Sequence, residues 1–165
     1  MNWKKETNEI KIRKSLAKQQ GGHQAVDLQH AKGRLTIRER LERLLDKNSF
    51  EEQGEITGSS DSNGKGVIDS FTPANFVLGF GKINGRQVIV GGEDFTVKGG
   101  SPNPAGLRKS IYTEELALKY KIPLIRLHEG GGGSVAGPSK KGRNSSGDPV
   151  FSKSRFKSIA DTLKT

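Results

Sequence analysis

Two strand-like runs flank one helical pattern, and this order constrains the fold more than any other feature of the chain. Residues 86–91 and 122–128 are the apolar runs, and residues 105–121 between them have helical periodicity. A helix that joins two such strands is typical of a βαβ unit, in which the strands are parallel and the crossover is right-handed. The sequence therefore predicts an α/β fold.

A β-hairpin comes directly before this unit. Residues 76–83 have the pattern of a strand, and 86–91 of its return strand. Between them lies Asn84-Gly85, a pair typical of a type I′ turn because both residues accept a positive φ.

Upstream, the sequence predicts a polar helical arm over residues 1–33, interrupted at Gly21-Gly22. A second domain, 34–165, follows. Its first helix begins with a capping box, in which Thr36 and Glu39 satisfy each other's backbone N–H groups. One apolar stripe then consists of Ile37, Leu41, Leu44 and Leu45.

Three further segments have a predicted structure. Residues 57–70 are rich in Ser and Gly, which predicts a surface loop. The helix 105–121 is apolar on both sides, which predicts packing between two layers. One side carries Leu107, Ile111 and Leu118, and the other carries Tyr112, Leu116 and Tyr120. A last amphipathic helix starts near Ser154 and runs to Thr165 without a stop signal, which predicts a fragment of a longer chain.

Four consecutive glycines, Gly130–Gly133, follow the strand 122–128 directly. Their backbone N–H groups are uncovered by side chains, so the loop can hold an anion or a developing oxyanion. The loop nominally fits a dinucleotide fingerprint from Gly131 to Ala136, but Pro138 lies where the phosphate-binding helix would already be running. A backbone-based active site is therefore the leading interpretation.

A second candidate segment, 94–101, follows the strand 86–91. Lys98, placed before Gly99-Gly100, is suited to pair with a phosphate or a carboxylate, while Asp94 is typical of a turn cap. His128 is a candidate general base, although the sequence identifies no residue that would orient it.

The formal charge of +10 comes from 28 Lys and Arg against 18 Asp and Glu. These cations are dispersed and do not alternate with aromatic residues, which favours a surface that attracts coenzyme phosphates over a nucleic-acid interface. The absence of cysteine excludes disulfides and thiolate metal sites. His23 and His30 lie in the arm and are expected to be solvated.

Several ordered motifs together resemble the carboxyltransferase (beta) subunit of biotin-dependent acyl-CoA carboxylases, of the propionyl-CoA and methylcrotonyl-CoA type. The resemblance covers residues from about 30 to the end of the chain. The motifs are 32–40, 44–46, 50–52, 94–101, 129–133 and 147–151, followed by the final helix.

This resemblance implies a crotonase-like fold built from β-β-α turns, with 34–165 as an incomplete N-terminal carboxyltransferase domain. It implies transfer of a carboxyl group from carboxybiotin to the α-carbon of a short acyl-CoA, with no metal held by this chain. The carboxybiotin would be carried by a biotin carboxyl carrier or biotin carboxylase subunit. The full-length subunit would be a homo-oligomer in the cytoplasm, or in the mitochondrial matrix of a eukaryote, with no membrane and no nucleic acid as partner.

The resemblance also implies roles for individual residues. The backbone N–H groups of Gly131, Gly132 and Gly133 would be catalytic. CoA or biotin would lie near Lys98, Gly99, Gly100, Ser101, Gly130 and Ser134. The usual Asp-Ser-Gly-Gly-Ala loop is replaced here by 129–133, and the family's next glycine-bearing segment would fall after Thr165, so we expect this polypeptide alone to be inactive. A non-catalytic CoA- or nucleotide-binding module and a basic RNA-interacting fragment stay open as alternatives.

Overall fold

A computed structural model describes residues 3–62, 68–101 and 103–129 of the chain. The final helix from Ser154, the segment 147–151 and the glycine loop from Gly130 to Ser134 lie outside these residues. The helices are α1 (Lys4–Lys18), α2 (His23–Ala31), α3 (Ile37–Leu44) and α4 (Pro104–Tyr120). The strands are β1 (Glu51–Glu52), β2 (Gly58–Ser62), β3 (Ile68–Pro73), β4 (Phe76–Ile83), β5 (Arg86–Glu93) and β6 (Leu124–Leu127).

The main sheet has the strand order β1-β4-β5-β6. β4 and β5 are antiparallel, and their register runs from Phe76 opposite Glu93 to Ile83 opposite Arg86. β5 and β6 are parallel and are joined through α4. The predicted hairpin and the predicted parallel strand pair are therefore both confirmed.

Alternating residues of β4 and β5 build one core on each face of the sheet. Val77, Val88 and Val90 pack against α3, where Ile37 and Leu41 are buried. The opposite face packs against α4, whose Leu116 is buried with Phe76, Leu78 and Ile89. Because successive side chains of a strand point to opposite faces, the hydrophobic runs of β4 and β5 supply both cores at once.

The capping box of α3 is present as predicted. The Glu39 backbone N–H donates to the Thr36 hydroxyl at 3.3 Å, and the Thr36 N–H donates to the Glu39 carboxylate at 2.7 Å. The arm forms two helices, α1 and α2, which are interrupted at Gly21-Gly22 as the sequence indicates.

The hairpin turn has the positive φ angles that its type requires, 51° at Asn84 and 78° at Gly85. The Asp46 carboxylate accepts the backbone N–H of Asn84 at 2.9 Å and that of Gly85 at 2.8 Å. The end of α3 is thereby fixed to the tip of the hairpin.

Two predictions from the sequence are wrong. Residues 58–62 and 68–70 of the predicted loop are strand, because they belong to β2 and β3, which pair as an antiparallel two-stranded sheet. Their composition, rich in Ser, Gly and Asp, does not have the hydrophobic alternation that indicates a strand. The second error concerns α4, which packs on the sheet by one side only among the described residues. Tyr112 and Leu118 are 47% and 40% exposed, whereas Tyr120, although 52% exposed, contacts the Phe80 ring of β4 edge-on, with 5.3 Å between the ring centres.

Candidate functional site

The carboxyl ends of the parallel strands β5 and β6 lie at one edge of the sheet. Glu93 and Asp94 lie at the end of β5, and His128 and Glu129 follow β6. Ligands of α/β proteins commonly bind at such an edge, where loops leave the sheet without a covering side-chain layer. This edge is therefore the candidate site.

Asp94 caps the turn that leaves β5, as the sequence indicates. Its carboxylate accepts the Thr96 backbone N–H at 3.0 Å and the Thr96 hydroxyl at 2.5 Å. Asp94 is almost fully buried. Burial raises its pKa, because removal from water penalises the charged carboxylate more than the two Thr96 hydrogen bonds stabilise it.

Lys98, Gly99 and Gly100 form a tight turn in which all three residues have a left-handed φ, between 51° and 70°. The Gly100 N–H donates to the Val97 carbonyl at 3.1 Å, and the Ser101 N–H donates to the Lys98 carbonyl at 3.2 Å. These two amides are used inside the turn. The exposed ammonium of Lys98 is accordingly the group of this turn best placed to reach a ligand. A ligand-binding role for Lys98, Gly99, Gly100 and Ser101 stays a prediction.

Lys98 borders two open depressions. One has a volume of about 310 Å³ and lies between the arm, at Gly21, and the turn from Thr96 to Lys98. The other, of about 300 Å³, lies at the start of α4 and also contains Arg108. The Asn103 side chain caps α4 there by accepting the Gly106 N–H at 2.7 Å. Two cations and a helix N-terminus give this second depression a positive potential.

His128 does have an orienting partner, contrary to the expectation from sequence. Its Nδ1 lies 3.2 Å from the Glu93 carboxylate, which also lies 3.6 Å from the Arg126 guanidinium. Arg126 contacts the Ser110 hydroxyl on α4 at 2.8 Å and stacks 4.9 Å from the centre of the Phe76 ring. Glu93 and Arg126 therefore join both strand exits to α4. No local sequence pattern predicts this pairing, because the residues are far apart along the chain.

Glu129 accepts a hydrogen bond from a residue of α2 and forms ion pairs with two Arg side chains, one between α2 and α3 and one on α3. The Gln29 side-chain amide donates to it at 2.9 Å, and guanidinium nitrogens of Arg34 and Arg40 lie at 3.8 and 3.6 Å. Its own backbone N–H donates to Glu93 at 3.2 Å. The glycine loop begins at the next residue in sequence, so Glu129 fixes the chain just before the predicted oxyanion donors.

Lys109 is a second charged residue that the sequence analysis missed, and it lies near Asp94 at the carboxyl end of β5. Lys109 of α4 is only 7% exposed and lines a cavity of about 10 Å³ together with Arg38, Glu52, Glu55 and Asp94. Burial lowers the pKa of Lys109 to about 8, although Glu52 partly offsets this effect. Lys109 occupies a helix position that its residue type suggests is exposed, and only its spacing from Thr113 and Leu116 indicates the buried face.

His30 is not simply solvated. Its Nε2 lies 2.9 Å from the Glu39 carboxylate, and this hydrogen bond is the main reason that the pKa of Glu39 is lowered. His23 is exposed, as expected.

Within 3–62, 68–101 and 103–129, no group of three or more His, Asp or Glu side chains is arranged to hold a metal ion. None of the helices in the described part of the chain is long and apolar enough to span a membrane.

The carboxyl transferase domain family matches residues 28–157. The chain belongs to this family. Among curated members, the propionyl-CoA carboxylase beta chain of Cereibacter sphaeroides is 36% identical over 127 residues, which are 77% of this chain and 25% of that protein. The human mitochondrial propionyl-CoA carboxylase beta chain is 37% identical over 117 residues, 70% of this chain and 22% of that protein. The methylmalonyl-CoA decarboxylase alpha subunit of Veillonella parvula is 35% identical over 115 residues, which are 70% of this chain and 23% of that protein.

Solved structures of family members have the same fold. Transcarboxylase 12S, a hexamer crystallised with methylmalonyl-coenzyme A, matches with a TM-score of 0.66 and 32% identity over 78% of this chain and 25% of that one. A single-chain long-chain acyl-CoA carboxylase matches at a TM-score of 0.63 and 24% identity, over 81% of this chain and 15% of that one, and supports the fold alone. The predicted crotonase-like α/β fold is confirmed. The chain spans about a quarter of the length of the curated relatives it matches.

Proposed function

We propose that this chain supplies part of the carboxyltransferase subunit of a biotin-dependent acyl-CoA carboxylase. The reaction would move a carboxyl group from carboxybiotin to the α-carbon of a short acyl-CoA, of the propionyl-CoA or methylcrotonyl-CoA type. The observation that carries this proposal is the family match over 28–157, which includes both strand exits of the sheet edge.

The chemistry needs little from side chains. The acyl-CoA exchanges an α-proton for a carboxyl group, and negative charge develops on its thioester oxygen during the exchange. Backbone N–H groups at Gly131, Gly132 and Gly133 would stabilise that charge, and removal of one such donor typically lowers the rate about 10²–10³-fold. Gly130 and Ser134 would lie near CoA or biotin.

The described residues support binding of a polyanion at this edge. The carboxylates of Glu93 and Glu129 are each paired with Arg side chains, so they leave little unbalanced negative charge beside the strand exits. Lys98 and Arg108 are exposed next to the start of α4, where they would attract the phosphates of CoA. The net charge of +10 acts in the same direction.

Partners are part of the same proposal. Carboxybiotin would arrive on a biotin carboxyl carrier or biotin carboxylase subunit, and the full-length subunit would assemble as a homo-oligomer. The site would operate in the cytoplasm or, in a eukaryote, in the mitochondrial matrix.

Thermal unfolding in the presence of CoA, propionyl-CoA and dephospho-CoA tests the proposal. A ligand at about 100 times its Kd stabilises the folded state by about 2.7 kcal/mol, which raises Tm by several degrees. We expect CoA and propionyl-CoA to raise Tm more than dephospho-CoA. No shift with any coenzyme, together with RNA binding that weakens steeply with salt, would favour the basic RNA-interacting alternative instead.

A further inference from the structure

The N-terminal arm reaches the exit of β5 through its interruption at Gly21. The Gly21 N–H donates to the Thr96 hydroxyl at 2.9 Å, and that hydroxyl donates to the buried Asp94 carboxylate. The backbones are in such close contact that a Cβ added at Gly21 would lie 1.9 Å from the Thr96 carbonyl oxygen. Only glycine permits this approach.

The arm reaches the exit of β6 through Gln29. This side chain is 5% exposed, and its amide donates to the Glu129 carboxylate across 100 positions of the sequence. A buried amide with one specific partner indicates a contact that fixes orientation, because leaving either group unpaired would be unfavourable.

The remainder of the arm contacts β3 through α1, where Leu16 and Phe71 line the same depression. Ala17 is the buried residue of α1, and Lys14 and Lys18 of that helix pair with Glu55 at 3.2 and 3.8 Å. The hydrogen bonds of Gly21 and Gln29 to the two strand exits are part-buried, whereas that of His30 to Glu39 is exposed.

We propose that the arm is a positioning element of the site, with Gly21 holding the exit of β5 and Gln29 holding the exit of β6. The link to catalysis rests on the proposed function, because acyl-CoA would bind at these exits. The structural part of the proposal is that the arm holds both strand exits in a fixed conformation, and this part can be tested without a ligand.

The test compares Gln29→Glu with Gln24→Glu, which makes the same charge change at an exposed position of the same helix. Amide hydrogen exchange is followed at Glu129. We expect Gln29→Glu to accelerate exchange at least about tenfold, because two carboxylates replace an amide–carboxylate hydrogen bond. Gln24→Glu should leave it unchanged. The swapped pair Gln29→Glu/Glu129→Gln should restore slow exchange at position 129, which a nonspecific loss of stability would not do.

A second variant, Gly21→Ala, addresses the exit of β5, with Ser15→Ala as its control in the exposed part of α1. We expect faster exchange at the Thr96 amide in Gly21→Ala only. Unchanged exchange at Thr96 and Glu129 in the two arm variants, or an equal effect of the controls, would overturn the proposal.

CoA affinity is then measured for the same variants. Weaker binding by Gln29→Glu, restored in the swapped pair, would connect the arm to the proposed site. If the parent chain bound no CoA while the exchange results held, the proposed function would fail for this chain and the positioning role would stand. If the exits loosened but CoA affinity stayed the same, the catalytic link would be refuted.

Discussion

Arg38 and Glu52 form a bidentate ion pair, with nitrogen–oxygen distances of 2.8 and 3.1 Å. The pair joins α3 to β1, and Glu52 is largely buried. Two parallel N–H donors match the two oxygens of a carboxylate, so this is the strongest geometry available to such a pair.

Glu52→Gln should therefore destabilise the fold. The substitution leaves Arg38 with one neutral acceptor and an unbalanced charge beside Lys109, so we expect a loss of about 1–3 kcal/mol in the free energy of unfolding. Urea denaturation measures it. Glu51→Gln, on the exposed neighbouring position of β1, is the control and should change stability by less than about 0.5 kcal/mol.

Lys109 should make stability rise at alkaline pH. Its pKa is about 8 in the folded chain and 10.5 in the unfolded chain, so the unfolded state holds the extra proton between these values. Stability then increases with pH across this window, by up to about 3 kcal/mol. Because other groups also titrate there, the measurement is the difference between the parent chain and Lys109→Met. A Lys119→Met control should follow the parent curve.

Asp94→Asn should stabilise the chain at neutral pH. Burial raises the pKa of Asp94, so its ionised form lowers the stability of the fold as the pH rises through that pKa. Asparagine keeps the oxygen that accepts both Thr96 hydrogen bonds but carries no charge. The advantage of Asp94→Asn should shrink towards acid pH, where Asp94 is protonated. Asp94→Ala removes the acceptor, and its Tm should fall below that of the parent.

Lys98→Gln should weaken CoA binding. An exposed cation paired with a phosphate contributes up to about 1 kcal/mol, so we expect roughly a threefold to fivefold rise in Kd, and a shallower dependence on salt. Lys82→Gln, on an exposed lysine of β4, removes the same charge elsewhere and is the control. Calorimetric titration at two salt concentrations distinguishes them. An equal effect of both variants would indicate a general charge effect and no phosphate contact at Lys98.

Local patterns were sufficient to predict β4, β5 and β6 of the main sheet, whereas β1 was not predicted. The Asn84-Gly85 turn, the Thr36–Glu39 capping box and the order strand, helix, strand each depend on residues close in sequence, and all appear in the structure. The pair β2 and β3 was missed because Ser, Asp, Gly, Thr and Pro make up most of both strands, so hydrophobic alternation gives little signal.

The site was less accessible to sequence reasoning. The position of the candidate edge followed from the parallel strand pair. The pairing of Gln29 with Glu129, and of Glu93 with Arg126, joins residues 100 and 33 positions apart, and no spacing rule reports such contacts. Burial of Lys109 likewise depends on which side of α4 packs on the sheet. The sequence of α4 is apolar on two sides, so its periodicity does not identify that side.

The residues that flank β2 and β3 are hydrogen-bonded to each other. The Ala74 N–H donates to the Thr57 carbonyl at 2.9 Å, while Gln53 is bonded to Leu78 on the main sheet. The register of β4 against β1 and β5 is therefore set without help from the residues between 57 and 74. Insertions or deletions in β2 or β3 should therefore leave the register of the main sheet unchanged and act instead on the contact between β3 and α1.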